Sequence, residues 1–296
     1  MKKDLNKRKN IAIIGFGKLG SALYYELKSK GYNINAVIDK NIITNNKIKQ
    51  INKNIKVIHS INSLTKTGFD VLIIAVKDSQ IESVVRQINK LGIDFSDKIV
   101  FHTSGAKSSE ILKIKGLLNI NKGSFHPIQT FTNISNKDTG LLRRIYIGIE
   151  GGHRFINFAS GVIRKLKSNR ILINSQNKEM YHLASVFSSN FLVSYLSILE
   201  KISIKAGIPK EKALNLYKPI IYKALENIFE LGTVKSLSGP FERGDIDTVK
   251  MHLGKIKKEK VIKELYLILG KEALDLASSK KSISIKQKRE IGQILE

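Results

Sequence analysis

Cysteine is absent from the 296 residues, and its absence excludes a range of chemistry. The chain can form no disulfide, carry no thiolate nucleophile and bind no zinc ion or iron–sulfur cluster through cysteine. Long apolar runs are also missing, because stretches such as VLIIAV fall well short of the roughly 20 residues that cross a bilayer. We therefore expect no transmembrane helix and no membrane partner. The basic start MKKDLNKRKN leads into IAIIGFG, too short and glycine-interrupted for a signal-peptide core, so we expect a cytoplasmic protein.

Acidic residues are scarce relative to basic ones. The sequence has 25 Asp and Glu against 51 Lys and Arg, which gives a formal net charge of +26. Clustered cations of this number would favour nucleic acid through counterion release. The lysines are instead spread along the whole chain, and neither a recognition helix nor an aromatic single-strand platform is present. We expect no specific nucleic-acid partner.

The order of predicted elements indicates an α/β protein with two domains. Short β-rich runs alternate with helical segments up to residue 174, which predicts a Rossmann-type doubly wound parallel sheet. After residue 174 the strands stop and the pattern is helical. We predict a dinucleotide-binding domain over residues 1–174 and an all-helical domain over 175–296. The predicted strands are 11–14, 34–38, 56–59, 71–76, 99–102, 122–125, 144–149 and 170–174. The main predicted helices are 18–30, 80–91, 154–167, 176–206, 209–217, 219–231, 247–257 and 258–279.

A glycine motif follows the first predicted strand and opens the first predicted helix. Gly15, Gly17 and Gly20 form GFGKLG, a G-x-G-x-x-G that allows a tight turn, close approach of a pyrophosphate and close helix packing. The amides of Phe16, Gly17, Lys18 and Leu19 are predicted to bind the phosphates at the positive helix terminus. The motif and its context predict a nicotinamide dinucleotide as cofactor.

The second predicted strand carries two residues with opposite implications for the cofactor. Asp39 follows Gly20 by 19 positions, where a carboxylate suits the ribose hydroxyls of NAD. Lys40 follows at once, with Lys47 and Lys49 close in sequence, and a cation suits the 2′-phosphate of NADP. We expect a modest preference for NADP, with NAD possible. A simple turn role for Asp39 is the alternative.

Several motifs occur in an order that resembles one family: GFGKLG, AVKDSQIESV, FHTSGAKSSEIL, GSFHPIQTF, YHLASVFSSNFLVSYL and LSGPFERGDIDTVKMHL. The chain resembles bacterial Rossmann-like proteins whose second half is the domain of unknown function 2520. That family is similar to ketopantoate reductase, pyrroline-5-carboxylate reductase and prephenate dehydrogenase. The resemblance implies a helical second domain like that of 6-phosphogluconate dehydrogenase, a substrate cleft, and a homodimer. Many relatives carry Ser-Arg where this chain carries Asp39-Lys40.

The resemblance also implies a reaction, the reduction of a small 2-oxo acid by NAD(P)H, with ketopantoate in pantothenate synthesis as the expected substrate. A prephenate-like or pyrroline-5-carboxylate-like substrate is the alternative within the fold. A non-catalytic dinucleotide-binding or nucleic-acid-associated protein is the alternative outside enzymes. No His, Asp and Glu cluster has ligand spacing, so we expect no catalytic metal.

Four residues are candidates for the chemistry. His126, at the end of a predicted strand, resembles the His-Pro histidine of prephenate dehydrogenases that contacts the reacting hydroxyl; hydrogen bonding within its loop is the alternative. His182 and Lys178 share a polar stripe on the predicted long helix, with Asn190 about 80° from His182 at 100° per residue. In the resembled reductases a Lys and an Asn of this helix touch the substrate. A solvated lysine is the alternative for Lys178, whereas the flanks Phe191 and Leu192 place Asn190 near buried surface.

Three further residues are predicted to contact ligands. Ser104, in the small-residue loop after the fifth strand, is predicted to bond the nicotinamide carboxamide, unless the loop is an ordinary turn. Val76, at the end of the fourth strand, is predicted to contact the cofactor. Arg243, in the predicted loop 237–245, is predicted to bind the substrate carboxylate bidentately. A salt bridge from Arg243 to Asp245 or Asp247 is the alternative.

Overall fold

The computed structural model describes residues 9–40, 56–58, 60–131 and 140–296. Lys47 and Lys49 lie outside the described residues. The chain divides into two compact units, Met1–Phe191 and Leu192–Glu296. The first unit extends beyond the predicted domain boundary at 174 because the helix that begins at Lys178 packs within it: the Lys178 side chain is buried there. The division into a dinucleotide-binding domain and a helical domain at residue 174 stays a prediction.

The first unit is built on one eight-stranded sheet, as the pattern of apolar runs predicts. Its strands run in the order β3-β2-β1-β4-β5-β6-β7-β8, and the first six give the 3-2-1-4-5-6 order typical of dinucleotide-binding folds. Each strand overlaps one of the eight predicted runs. The strands are β1 (Asn10–Ile14), β2 (Asn33–Ile38), β3 (Lys56–Ile58), β4 (Val71–Ile74), β5 (Ile99–His102), β6 (Lys122–Pro127), β7 (Tyr146–Gly151) and β8 (Asn169–Leu172).

One strand pair departs from the predicted parallel sheet. Strands β6 and β7 are antiparallel, with Ser124 opposite Glu150 and His126 opposite Gly148, while the other pairs are parallel. A parallel neighbour needs a long crossover, usually a helix, whereas an antiparallel neighbour does not. The described residues between β6 and β7 contain no helix, which agrees with the reversal.

Helices cover both faces of this sheet and give it two apolar cores. On one face, α1 (Lys18–Ser29) and α3 (His153–Leu166) pack against alternate strand residues, including Ile13, Phe101 and Phe125. On the other face, α2 (Ile81–Ile88) packs against the intervening residues, including Ile14 and Leu72. Strand side chains alternate between faces, so burial on both sides requires nearly continuous apolar runs. The doubly wound prediction is confirmed.

A long helical stretch ends the first unit and begins the second. A 3₁₀ turn, Ser175–Asn177, leads into α4 (Lys178–Val186), a π-helical turn (Phe187–Phe191) and α5 (Leu192–Lys205). Within the described residues, the stretch Ser175–Lys205 is long and apolar enough to cross a membrane by length and composition. One such helix is weak support for a membrane protein, and the expected absence of a membrane segment stays a prediction.

The second unit is helical, as predicted. Pro219 was expected to separate two helices, but it lies inside α6, because losing one backbone donor does not break this 22-residue helix. The C-terminal helix α11 was missed, although Ser284 and Gln287 form the capping box that marks its start. The helices are α6 (Lys210–Leu231), α7 (Thr233–Ser236), α8 (Pro240–Arg243), α9 (Ile246–Lys255), α10 (Lys260–Lys280) and α11 (Ile285–Ile294).

Candidate active site

The glycine motif adopts the predicted strand–turn–helix conformation. Gly15 has a φ of 94°, and a Cβ there would overlap the carbonyl of Ala75. A Cβ at Gly20 would overlap the carbonyl of Gly15, so the helix packs directly on the turn. Both positions therefore require glycine for the fold itself.

Gly17 differs from the other two glycines because a Cβ there would meet nothing within 4 Å. Gly17 is the N-cap of α1, whose first turn contains no acidic residue. An α-helix leaves its first amides without intrahelical partners, so the start of α1 offers N–H donors beside open space. This arrangement fits the pyrophosphate of a dinucleotide, with Lys18 exposed and Leu19 half-buried beside it.

Phe16 and Asp39 bond to each other, which changes the role predicted for the Phe16 amide. The Phe16 N–H donates to Oδ2 of Asp39 over 2.6 Å, and the Phe16 ring packs edge-on against Tyr24. The Phe16 amide is therefore already used within the chain. Asp39 holds the glycine turn against the end of β2, so its position is defined by more than a local turn. Lys40 is exposed beside it.

The residues after β4 connect the glycine motif to a group of polar side chains at the ends of β5 and β6. Ala75 packs against Gly15 and Gly20, and Val76 lies beside Gly15. Asp78 accepts a hydrogen bond from the Ser104 hydroxyl over 2.7 Å. Ligands of open α/β sheets bind at this carboxyl edge.

The Ser104 hydroxyl is already used within its loop. Besides donating to Asp78, its oxygen accepts bonds from the amides of Ala106 and Lys107. A hydroxyl has one proton and two lone pairs, so these three bonds use its full capacity. The contact from Ser104 to a nicotinamide carboxamide stays a prediction, and it would require one of these bonds to break.

Lys178 is buried, which rules out the solvated alternative. Its side chain is 2% exposed, and its ammonium donates to Ser124 Oγ over 2.6 Å and to the Ser104 carbonyl over 3.4 Å. The third N–H has no acceptor among the residues that the structure describes. Burial lowers the pKa of Lys178, while the negative charges of Glu150 and Asp78 act to raise it.

Two further buried residues, Glu150 on β7 and His102 on β5, lie close enough to this ammonium for their charges to interact with it. The Glu150 carboxylate accepts both the amide and the hydroxyl of Ser109, at 2.8 and 2.7 Å. The His102 ring is fully buried, with Nδ1 accepting the Ser104 amide and Nε2 lying 3.1 Å from the Ser108 carbonyl. Burial lowers the pKa of His102 to about 4, so this ring is neutral near pH 7.

His126 and His182 come together against one glycine. Their ring centroids are 6.1 Å apart, and a Cβ at Gly105 would lie 2.8 Å from atoms of both rings. His126 Nδ1 is 2.9 Å from the Tyr181 hydroxyl. Burial, with the charges of His182 and Lys178, lowers the pKa of His126 to about 4, and burial raises the pKa of Tyr181 to about 12. Both groups are therefore neutral near pH 7.

Asn190 does not lie where uniform helical spacing places it. It falls within the π turn Phe187–Phe191, which takes up about one extra residue and rotates later side chains by roughly 100°. Asn190 is exposed and its Oδ1 accepts a bond from the Ser189 hydroxyl. The neighbouring residues Phe191 and Leu192 are 48% and 39% exposed, so the prediction that they place Asn190 near buried surface is wrong.

Arg243 lies in the second unit and ends the single helical turn α8, within the segment expected to be a loop. It is exposed, and the ion pairs of the described residues do not include it. Asp245 instead caps α9 by accepting the amide and hydroxyl of Thr248. The alternative salt bridge to Asp245 or Asp247 is not formed, and carboxylate binding by Arg243 stays a prediction.

Sequence reasoning missed four residues of this site: Tyr181, Ser124, Glu150 and Asp78. Tyr181 lies three residues after Lys178, and Ser124 lies two residues before His126. Helical and strand periodicity would have placed each on the same face as a residue already selected. No comparable signal marks Glu150, because its position depends on the reversal of β7. The described residues contain no cluster of three or more His, Asp or Glu able to hold a metal.

Two family models match separate parts of the chain. Residues 2–119 match the Rossmann-like domain, and residues 145–273 match the domain of unknown function DUF2520. No protein of curated function matches the sequence.

Three solved structures show the same fold at low sequence identity. A provisionally named NADP oxidoreductase from Bacteroides fragilis is 21% identical, with 91% of this chain and 99% of that chain covered and a TM-score of 0.72. A protein from Thermotoga maritima is 23% identical, with 92% and 99% covered and a TM-score of 0.69. Pyrroline carboxylate reductase from Plasmodium falciparum, with NADP bound, is 15% identical, with 97% and 99% covered and a TM-score of 0.58.

Proposed function

Because the chain joins a Rossmann-like domain to a DUF2520 domain, we propose that it is an NAD(P)H-dependent oxidoreductase that reduces a small 2-oxo acid. Ketopantoate is the proposed substrate, which would give the protein a place in pantothenate synthesis. The observation that carries the proposal is the buried ammonium of Lys178, held at the carboxyl edge of the sheet, with one N–H that has no acceptor in the described part of the chain.

Reduction of a keto group needs a proton donor and a fixed place for the substrate oxygen. The bound nicotinamide supplies the hydride. The lowered pKa of Lys178 makes its ammonium a better proton donor than that of an ordinary lysine. Its third N–H is suited to protonate the oxygen on which negative charge develops. The hydrogen bonds to Ser124 and to the Ser104 carbonyl fix the position of the ammonium during this proton transfer.

His126 is suited to orient the same oxygen rather than to donate its proton. A histidine with a pKa of about 4 is neutral at physiological pH, and a neutral imidazole gives up its remaining proton only with difficulty. It can still donate a hydrogen bond. His182, beside it across Gly105, adds a second polar group to the same wall.

For the cofactor we propose NADPH, with NADH as the weaker alternative. The exposed Lys40 suits a 2′-phosphate, and two of the residues predicted to bind phosphate, Gly17 and Lys18, lie beside open space at the start of α1. The bond from Phe16 to Asp39 gives the carboxylate a role in holding the turn, which weakens the argument that Asp39 is there to select NAD.

We also propose a homodimer in the cytoplasm. On the long helical stretch, the apolar side chains of Met180, Leu183, Phe187 and Phe191 are 69%, 43%, 61% and 48% exposed in the single chain. An exposed apolar row of this size is typical of a surface that another protein covers.

The proposal is tested by genetic rescue and by direct assay. A strain that lacks ketopantoate reductase and requires pantoate should grow when it carries this gene, and not when it carries the Gly17→Val variant. Purified protein should oxidise NADPH in the presence of ketopantoate. Turnover of pyrroline-5-carboxylate or prephenate instead would change the substrate within the same fold. Failure to bind either NADPH or NADH in a fluorescence titration would reject the oxidoreductase assignment.

A further inference from the structure

Tyr181 and His126 form a partly buried hydrogen bond, and its direction decides which nitrogen of the histidine carries the proton. The Tyr181 hydroxyl lies 2.9 Å from His126 Nδ1, and the two rings meet edge to face with centroids 5.5 Å apart. Either group could donate in this bond, because a phenol and an imidazole each have a donor and an acceptor form. The surroundings of the two groups decide between these directions.

The phenol proton of Tyr181 needs an acceptor. Within the described part of the chain, His126 Nδ1 is the sole hydrogen-bond partner of the Tyr181 hydroxyl. If Nδ1–H donated to the phenol, the phenol proton would have no acceptor in a partly buried site, which costs about 1–3 kcal/mol. Donation from Tyr181 to Nδ1 avoids this cost. The neutral imidazole must then carry its proton on Nε2.

The Tyr181 hydroxyl fits against β7 because the residue there, Gly148, has no side chain. Gly148 lies opposite His126 in the β6–β7 pair, and a Cβ at Gly148 would overlap the Tyr181 hydroxyl. Any other residue at 148 would displace the phenol. Gly105 likewise lies against the imidazole, since a Cβ there would be 2.8 Å from both Cε1 and Nε2 of His126.

We propose that Tyr181 is a positioning residue that fixes His126 as the Nε2–H tautomer, with its donor directed to the Gly105 side of the site. Within the described residues the Nε2 atom has no hydrogen-bond acceptor, so this donor is available to a ligand oxygen. The groups whose charges act on the ring are His182, Lys178 and Asp78. The tautomer assignment stands by itself; the purpose given to the donor, orienting a substrate oxygen, rests on the proposed function.

The assignment is tested on the unmodified protein by ¹⁵N NMR of the histidine ring near pH 7. We expect a pyridine-type resonance for His126 Nδ1 and a pyrrole-type resonance for Nε2. The opposite pattern would overturn the proposal, and so would two resonances averaged between the types. This measurement needs neither substrate nor turnover, so it distinguishes failure of this proposal from failure of the proposed function.

A pair of matched variants tests the cause. In Tyr181→Phe the two His126 resonances should move toward averaged values, and kcat should fall about 10-fold, the effect of one lost hydrogen bond, with the KM for NADPH unchanged. Tyr266→Phe removes a similar contact, from Tyr266 to His252 Nδ1 at 3.1 Å in the second unit. It should leave the His126 resonances unchanged. His126 resonances in Tyr181→Phe identical to those of the wild type would refute the role of Tyr181. If Tyr181→Phe does not fold, the wild-type spectrum still decides the tautomer.

Discussion

Replacing Lys178 with methionine separates a functional from a structural role for the buried ammonium. Methionine keeps an unbranched side chain and removes the charge. The hydrogen bonds to Ser124 and Ser104 contribute about 1.5–3 kcal/mol to stability, as bonds from a charged donor do. Burying the ammonium costs several kcal/mol in lost hydration. Because the two effects oppose each other, we expect the free energy of unfolding to change by less than about 2 kcal/mol.

The expected effect of the same variant on catalysis is much larger. A positioned proton donor contributes about 10²–10⁴-fold to rate, so kcat should fall by that factor, or about 3–5 kcal/mol of activation free energy. The assays are NADPH oxidation at saturating NADPH and 2-oxo acid, and urea unfolding of the same preparations. A matched control is Lys122→Met, which removes another buried lysine, paired with Glu110 at 2.8 Å, and should leave kcat within about 3-fold.

The pH dependence of stability provides an independent check on Lys178. Burial lowers its pKa in the folded protein, so between that pKa and 10.5 the unfolded chain binds more protons at this residue. Wild-type stability should therefore rise relative to Lys178→Met as the pH increases toward 10.5. The interpretation is refuted if kcat stays within about 3-fold of wild type while the free energy of unfolding falls by more than about 3 kcal/mol.

Three further predictions follow from single contacts. Gly17→Ala should bind NADPH much more weakly with an unchanged Tm, because its Cβ would meet no protein atom. Gly20→Ala should lower the Tm, because its Cβ would overlap the Gly15 carbonyl. Equal effects of the two variants on the Tm would contradict this interpretation of the motif. Burial lowers the pKa of His102 to about 4, so the free energy of unfolding of the wild type should fall as the pH drops from 6.5 to 4. In urea unfolding, His102→Asn should lose roughly 3 kcal/mol less stability over this pH range than the wild type. An equal loss in both proteins would contradict the assignment of this pH dependence to His102. Arg243→Lys should change the Tm little, because the ion pairs of the described residues do not include Arg243. If Arg243 binds the substrate carboxylate as the sequence predicts, the KM for the 2-oxo acid should rise more than the KM for NADPH, and an unchanged KM would contradict that prediction.

The sequence predicted the parts of the fold that depend on local pattern. Apolar runs identified all eight strands, and the spacing of Gly15, Gly17 and Gly20 identified the turn before α1. These predictions succeed because strand burial and tight turns impose requirements on consecutive residues. The reversal of β7 left no such local pattern.

The candidate site was only partly predictable because its main contacts join residues far apart in sequence. Lys178 could not be recognised as buried in a chain with so many lysines, and its partner Ser124 lies 54 positions away. The contact between His126 and Tyr181 spans 55 positions. Asn190 was misplaced for a different reason: the π turn changes the helical period, and no residue pattern in the sequence indicated it.

The antiparallel pairing of β6 and β7 links sheet register to charge at the site. Residues directly opposite in such a pair project to the same face, so Ser124, which holds Lys178, shares its face with Glu150, which acts on the same ammonium. A shift of one residue in β7 would turn the carboxylate to the other face, where the phenylalanine-rich core lies. An insertion or deletion in this strand would therefore remove a buried negative charge from the site and place it in an apolar core. The register of β7 therefore determines on which face of the sheet this negative charge lies. We expect insertions and deletions in β7 to abolish folding and activity together.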